Sequence, residues 1–337
     1  MKAFTNQAVS PGLWALAWRR LRADRIAMTA LAVVGLFLLM LVLSATGLVA
    51  ADWEDEVAVN YAPPTFVGAN PALAALAQPQ QPTPPNAFDP LADELAALKR
   101  EVQATHPPVA KALTLPFGAD KWGHDILKKT VKGGETSIVV GLVAAFVAVA
   151  LGTLFGAISG FYGGLVDDFF NWFYSIFTSI PSILMILTVA AVLQQKGVTT
   201  IVLILGLTGW TGPYRLIRAE YIKHKAREYV MAADAIGASS WRKMFSHIFP
   251  NVSHVALVQV SILVVGFIKA EVILSFLGFG VPVGTVSWGS MLNEAQNELI
   301  LGKWWQLAAA AGAMALLVTA FSLFTDALRD ALDPKLK

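Results

Sequence analysis

Six long stretches of this sequence carry no Asp, Glu, Lys or Arg, and that pattern constrains the fold more than any other feature. An α-helix needs about 20 apolar residues to cross the hydrocarbon of a bilayer, because its backbone polar groups must be satisfied within the segment. The runs are residues 26–51, 136–166, 169–195, 197–214, 244–268 and 304–325, of which the fourth, at 18 residues, is the shortest. Of the 337 residues 56% are hydrophobic and 14% charged, against about 25% charged in an ordinary soluble domain. The expected fold class is therefore all-α: a polytopic membrane protein with about six transmembrane helices. A seventh uncharged run, 272–293, holds Gly278, Gly280, Pro282, Gly284 and Gly289. So many breakers predict a helix end followed by a re-entrant or surface segment.

Lys and Arg near the span ends set the expected orientation. Arg19, Arg20, Arg22 and Arg25 precede the first span, which predicts a cytoplasmic N-terminal segment, 1–25. The loop 215–247 carries Arg215, Arg218, Lys223, Lys225, Arg227, Arg242 and Lys243 against three acids and should share that side. The first run is too long for a removable signal peptide and lacks a small-residue cleavage site. A net charge of +2 gives no reason to expect a nucleic-acid partner, and with no cysteine there is neither a disulfide nor a thiolate site.

Between the first two spans lies an external insert, 52–117, with eleven of the 17 prolines. Its composition predicts an extended, poorly packed connector. One helix should interrupt it: Asp89 can cap, Pro90 can begin it, and Leu91, Leu95, Leu98 and Val102 recur on one face until His106-Pro107-Pro108. That stripe needs cover, from the protein itself in the simplest case, otherwise from the pore mouth or a docking protein.

Within 215–247 the pattern predicts helix, break, helix. Glu228 to Ile236 is helix-forming, Gly237 can take a left-handed C-cap, and Ser239 or Ser240 can cap the second helix. Ala232 and Ala233 would leave a smooth surface for the close approach of another protein. On spacing alone, an ordinary amphipathic loop explains the same residues.

This segment resembles the EAA motif of binding-protein-dependent ABC importer permeases, with Gly237 and Ile248-Phe249-Pro250-Asn251 at that family's spacing. "REYVMAADAIGAS", "HIFPN", "EVILSFLGFGV", "SWGSML" and "DALRDALDPKLK" are similar to the dipeptide, oligopeptide and nickel branch, as are "FGADKWGHDIL", "GFYGG" and "WRRLRADRIA". The resemblance covers nearly everything except about 53–115. It implies a type I importer permease fold with a five-helix core in 118–337 and the 26–51 helix on its flank. It also implies an ATPase-coupling role for Glu228, Met231, Ala232, Ala233, Gly237 and Pro250, although Met231 stands where the family has Glu. Glu271 matches the "EVILSFLGFGV" element and is a candidate for a gating or structural role, while Lys269 should snorkel. By the same resemblance the partners are a second, homologous permease, two ATP-binding subunits, an external substrate-binding protein and membrane lipid. The location implied is the bacterial inner membrane, with both termini cytoplasmic.

No G-x-x-x-x-G-K-[ST] loop occurs, and Gly118 to Gly123 continues instead with His124-Asp125. The chain is thus expected to need no cofactor itself, with ATP and Mg on partner subunits. No H-E-x-x-H occurs and the five histidines are scattered, so no metal site is expected. Gly152, Gly156 and Gly160 form two overlapping G-x-x-x-G steps that suit tight helix packing. Two other classes stay open: an autonomous secondary transporter or channel, for which mid-membrane charges and inverted repeats are missing, and an intramembrane hydrolase. The hydrolase would use Ser159 or the Ser240-x-x-Lys243 pair, and neither has a fixed base at membrane depth.

Overall fold

The computed structural model describes residues 13–69, 91–105, 111–282 and 284–332. Among these the regular structure is helical, with isolated bridges as the only β pairing. The helices are α1 (Leu13–Ala23), α2 (Arg25–Ala45), α3 (Ala92–Thr105), α4 (Ile126–Tyr162), α5 (Gly164–Thr178), α6 (Ser182–Leu193), α7 (Val198–Thr208), α8 (Thr211–Lys225) and α9 (Glu228–Ala235). They continue with α10 (Ser240–Phe276), α11 (Trp288–Ile300) and α12 (Trp305–Leu332).

Four of them, α2, α4, α10 and α12, are long and apolar enough to cross a membrane, and the pair α5 and α6, bent by 82°, counts as a fifth span if taken together. The run expected as the fourth span is divided. α7 has 11 residues, about 16 Å at 1.5 Å per residue, and cannot cross alone. The break falls at Gly209 and Trp210, where the Trp210 ring is buried among Phe155, Phe173 and Phe177. The chain resumes at once as α8.

Helix α4 is the central post. It packs against α8, α10, α7 and α2, and its buried face carries Ile138, Val140, Ala144, Ala145 and Ala148 in the main apolar core. Gly152, Gly156 and Gly160 bring α4 against α8 as the overlapping G-x-x-x-G steps predict. A β-carbon there would lie 2.6 Å, 2.8 Å and 2.6 Å from the carbonyl oxygens of Trp210, Tyr214 and Arg218. Helix α2 is capped by Asp24, whose carboxylate accepts from the Ile26 amide at 2.8 Å, and it lies along α12 and α4. α1 seats Ala17 and Leu21 against Leu328, Ala331 and Leu332 of α12.

Two expectations about the insert change. Its ends are packed rather than loose: Ala58, Ala62 and Ala119 form a small buried cluster, Ala58 bridges to Ala112, and Pro64 bridges to Leu115. The Trp305 indole donates to the Ala119 carbonyl at 2.7 Å and ties this collar to α12. α3 forms as expected, but Leu91, Leu95, Leu98 and Val102 are all about half exposed, so the described residues leave the stripe uncovered. Asp89, Pro90 and His106-Pro107-Pro108 lie outside the described residues, as do most of the proline-rich stretch and Lys337.

The seventh run begins as the expected helix end: α10 stops at Phe276 and a loop succeeds it, with Val286 and Ser287 buried. That loop then enters α11, started by a capping box in which the Ser287 and Ser290 side chains each accept from the other's backbone amide. The Glu271 carboxylate, fully buried on α10, accepts from Ser137 of α4 at 2.6 Å and from Ser275 at 2.7 Å. Ser137 in turn accepts from the Trp288 amide of α11 at 3.2 Å. Glu271 therefore links α10 to α4 and, through Ser137, to α11. Lys269 is exposed.

Candidate functional site

The loop between α8 and α10 is the best-defined surface feature. Only Ala226 and Arg227 separate α8 from α9, so a displacement of α9 acts on α8 through a very short lever. Glu228 opens α9 and places its charge at the positive end of the helix dipole. The helix ends in a Schellman motif: Ala238 donates to the Ala233 carbonyl at 3.0 Å and Gly237 to the Asp234 carbonyl at 2.9 Å, with Gly237 at φ +79. Ser239 then caps the next turn by accepting from the Arg242 amide, and Lys243 pairs with Asp234 across the loop.

The segment after Ser239 is not a second free-standing short helix. It runs on without interruption into α10, with Lys243–Ile248 wound as a π-helix just before Phe249-Pro250. A proline inside a helix lacks the amide donor and crowds the carbonyl four residues back. The widened turn, in which the Phe249 amide reaches the Met244 carbonyl, relieves that crowding. The loop thus runs without a break into the long helix α10 at one end and is joined to α8 by two residues at the other.

The two alanines of the motif separate. Ala233 is buried on α9, as is Val230, which packs with Met244 and Ile248, so Ala233 does not offer a surface. Ala232 is exposed, and so are Glu228, Met231 and Pro250. The outward side chains are strongly apolar: Met231 is 55% exposed, Trp241 61% and Ile236 84%, with Arg227 and Arg242 also outward. An exposed apolar group rimmed by charge marks a protein contact. The sequence pattern identifies the loop and its glycine, but the burial of Ala233 depends on tertiary packing, which spacing does not encode.

Residues 152–337, more than half of the chain and including this whole loop, match the family described as binding-protein-dependent transport system inner membrane component. The chain belongs to that family. Residues 12–64 also match the N-terminal TM domain of oligopeptide transport permease C. Relatives include the dipeptide transport system permease protein of Bacillus subtilis strain 168, 33% identical over 221 residues that cover 66% of this chain and 69% of the relative. The oligopeptide transport system permease protein of the same strain is 34% identical over 221 residues, 66% of this chain and 72% of the relative. The dipeptide transport system permease protein of Lactococcus lactis subsp. cremoris is 31% identical over 325 residues, 95% of this chain and 90% of the relative. As a permease of this family, the chain is a multi-pass inner-membrane subunit of an ABC importer and not an enzyme, and it works with ATPase and binding-protein partners.

At the other end of α4 the permease holds a buried polar cluster that the sequence pattern does not single out. The Lys129 ammonium donates to Asp120 at 2.7 Å and to Glu294 of α11 at 2.6 Å, and Asp120 also contacts His124 at 3.0 Å. Burial alone would raise the Asp120 carboxyl, but the Lys129 charge together with the hydrogen bonds from Lys129 and the Trp122 amide outweighs it and holds the group below its usual range. Glu298, one turn beyond Glu294, is 2% exposed and neither of its oxygens accepts a hydrogen bond of ordinary geometry, although the Lys121 amide is near. Burial pushes its carboxyl up to about 7, with Lys129 opposing the rise. The folded state therefore holds a proton on Glu298 that the unfolded chain releases at a lower pH, so stability falls as pH rises through that interval. Apparent unfolding temperature in detergent should drop as pH rises from about 4.5 to about 7. Glu298→Gln should flatten that part of the profile. An unchanged slope in the variant would remove Glu298 as its source.

Proposed function

We propose that this chain is one of two homologous pore-forming subunits of a peptide importer, and that its α9–α10 loop is the surface on which an ATPase subunit pushes. The observation that carries the reading is the loop itself: a Schellman-capped short helix with Met231, Ile236 and Trp241 outward, two residues from the end of α8 and four from the start of α10. Peptides are the substrate class because the relatives are named for dipeptide and oligopeptide transport. ATP and Mg belong to two partner ATPases, and an external binding protein delivers the peptide. Both termini and the loop lie in the cytoplasm, while residues 52–117 lie outside. ATP binding would draw the ATPases together, and the loop would convert that movement into alternating access, a switch between two global states.

The direct test is to purify the chain with whatever assembles on it, reconstitute the complex, and follow peptide uptake and ATP hydrolysis. Uptake should require the ATPase subunits, and the isolated chain should hydrolyse no ATP. Robust hydrolysis by the chain free of partners would reject the assignment. Topology is read from single cysteines in this cysteine-free sequence: Lys99→Cys should react with a membrane-impermeant thiol reagent from outside and Lys223→Cys only from the cytoplasm, with the reverse pattern overturning the orientation.

A further inference from the structure

Helix α5 begins the bent span, and none of its described residues is buried. It is nevertheless fixed to α8, the helix that carries the cytoplasmic loop. The Arg218 guanidinium on α8 donates through Nε to Asp167 Oδ1 at 2.6 Å and through its terminal nitrogen to Oδ2 at 2.5 Å, a forked pair. Ser159 of α4, itself fully buried, donates to the same Asp167 carboxylate, and its hydroxyl lies 3.0 Å from the Tyr214 hydroxyl of α8. Asp167 is thus the point where α4, α5 and α8 meet. The other attachments of α5 to α8 and its neighbours include a long hydrogen bond, 3.4 Å, from the Tyr214 hydroxyl to Asn171 Oδ1, and ring contacts such as Phe173 with Trp210 and Tyr174 with Tyr214, which slide more readily than a forked ion pair.

Arg218 lies two turns before the end of α8, and the glycine stripe holds α4 and α8 in backbone contact on either side of it. Motion delivered to α9 therefore moves α8 and α4 as one body. Whether the bent pair α5–α6 moves with them depends on what grips α5.

We infer that the Asp167–Arg218 pair is the latch that makes the bent span α5–α6 follow the loop-bearing helix α8, and so couples ATP hydrolysis to opening of the transport path. Both are positioning residues. The inference rests on the proposed role of the loop, and it adds the route by which the push reaches a mobile span. Ion pairs at this burial also stabilise folding, so the test must separate coupling from stability.

The measurement is peptide transported per ATP hydrolysed in the reconstituted complex. Arg218→Lys keeps the charge but loses the fork, and Asp167→Asn keeps the shape but loses the charge. Each should lower the ratio at least tenfold while ATPase subunits still co-purify and hydrolysis persists. The exchanged variant, Asp167→Arg with Arg218→Asp, should recover much of the ratio. A second route does not depend on the stability of charge variants: Asp167→Cys with Arg218→Cys should be uncoupled when reduced and recoupled when the two thiols are joined by a short reversible bifunctional reagent. Equal ratios in the joined and reduced states, or a wild-type ratio in Arg218→Lys and Asp167→Asn, would overturn the latch. If the wild-type complex itself shows no ATP-dependent uptake, it is the underlying reading of the loop that fails.

Discussion

Gly156→Leu is expected to prevent recovery of a folded permease, whereas Gly35→Leu is expected to be nearly silent. Both glycines lie within apolar helices, so composition and hydropathy do not distinguish them. Contact does. A β-carbon at Gly156 would lie 2.8 Å from the Tyr214 carbonyl oxygen, 3.0 Å from the Arg218 amide nitrogen and 3.1 Å from Ile217 Cβ, while one at Gly35 meets nothing within 4 Å. The first two obstacles are backbone atoms that cannot swing away, so α4 and α8 must separate. Overpacking by even a methylene or two costs about 1–3 kcal/mol, and a leucine at this seam should cost more, in addition to the Ser159–Tyr214 and Asp167–Arg218 contacts that depend on the same approach. Gly156→Ala should retain the fold with reduced thermal stability. The check is the yield of monodisperse protein in detergent and its apparent unfolding temperature, with Gly35→Leu purified in parallel. Equal behaviour of the Gly156 and Gly35 variants would mean that the seam is not close-packed in the membrane.

The same seam shows where sequence reasoning succeeds and where it stops. Gly152, Gly156 and Gly160 recur every four residues, which fixes one helix face without naming the helix that meets it. The absence of charge places the start of the second span at 136, yet α4 begins at Ile126, ten residues earlier. Lys128, Lys129, Lys132 and Glu135 end the uncharged run, but they are paired in the structure with Asp52, with Asp120 and Glu294, and with each other. Those partners lie as many as 165 residues away, so no local pattern reveals them. The third run contains Pro181, and there the helix breaks by 82° into α5 and α6; a run length reports apolar character but not straightness. Similarly, the prolines of the insert predict an extended backbone, while the collar around Ala58 and Ala119 arises because two extended segments pair across a long sequence gap. Small residues at Ala58, Ala62 and Ala119 permit that approach, and nothing in their spacing signals it.

Gly237→Val should abolish transport while leaving the apolar spans and their insertion intact. Gly237 holds φ +79 with no atom close enough to clash with a β-carbon, so the penalty is conformational rather than steric crowding by neighbours. A left-handed residue with a side chain costs about 1–2 kcal/mol, and a β-branched one is a marked outlier there. The least costly escape for valine is to leave the left-handed region, which breaks the Gly237 and Ala238 hydrogen bonds that close α9. The exit of the chain towards Ser239 is then redirected, and Met231 and Ile236 no longer stand in fixed relation to Trp241 on the start of α10. Asparagine tolerates the left-handed region, so Gly237→Asn should keep at least part of the transport that Gly237→Val loses. Ala233→Arg is a weaker test of docking than its place in the motif suggests: Ala233 is buried, so an arginine would disrupt the loop from within. Met231 is the better probe, being 55% exposed. Met231→Glu restores the family's usual residue, and coupling equal to or above wild type would indicate that the position contacts an ATPase groove that accepts charge, whereas lost co-purification of the ATPases would indicate an apolar groove matched to methionine. The measurements are peptide uptake, stimulation of ATP hydrolysis by the loaded binding protein, and recovery of ATPase subunits with each variant. Wild-type uptake by Gly237→Val would show that the closed geometry of α9 does not matter, and the loop would then be an ordinary basic connector.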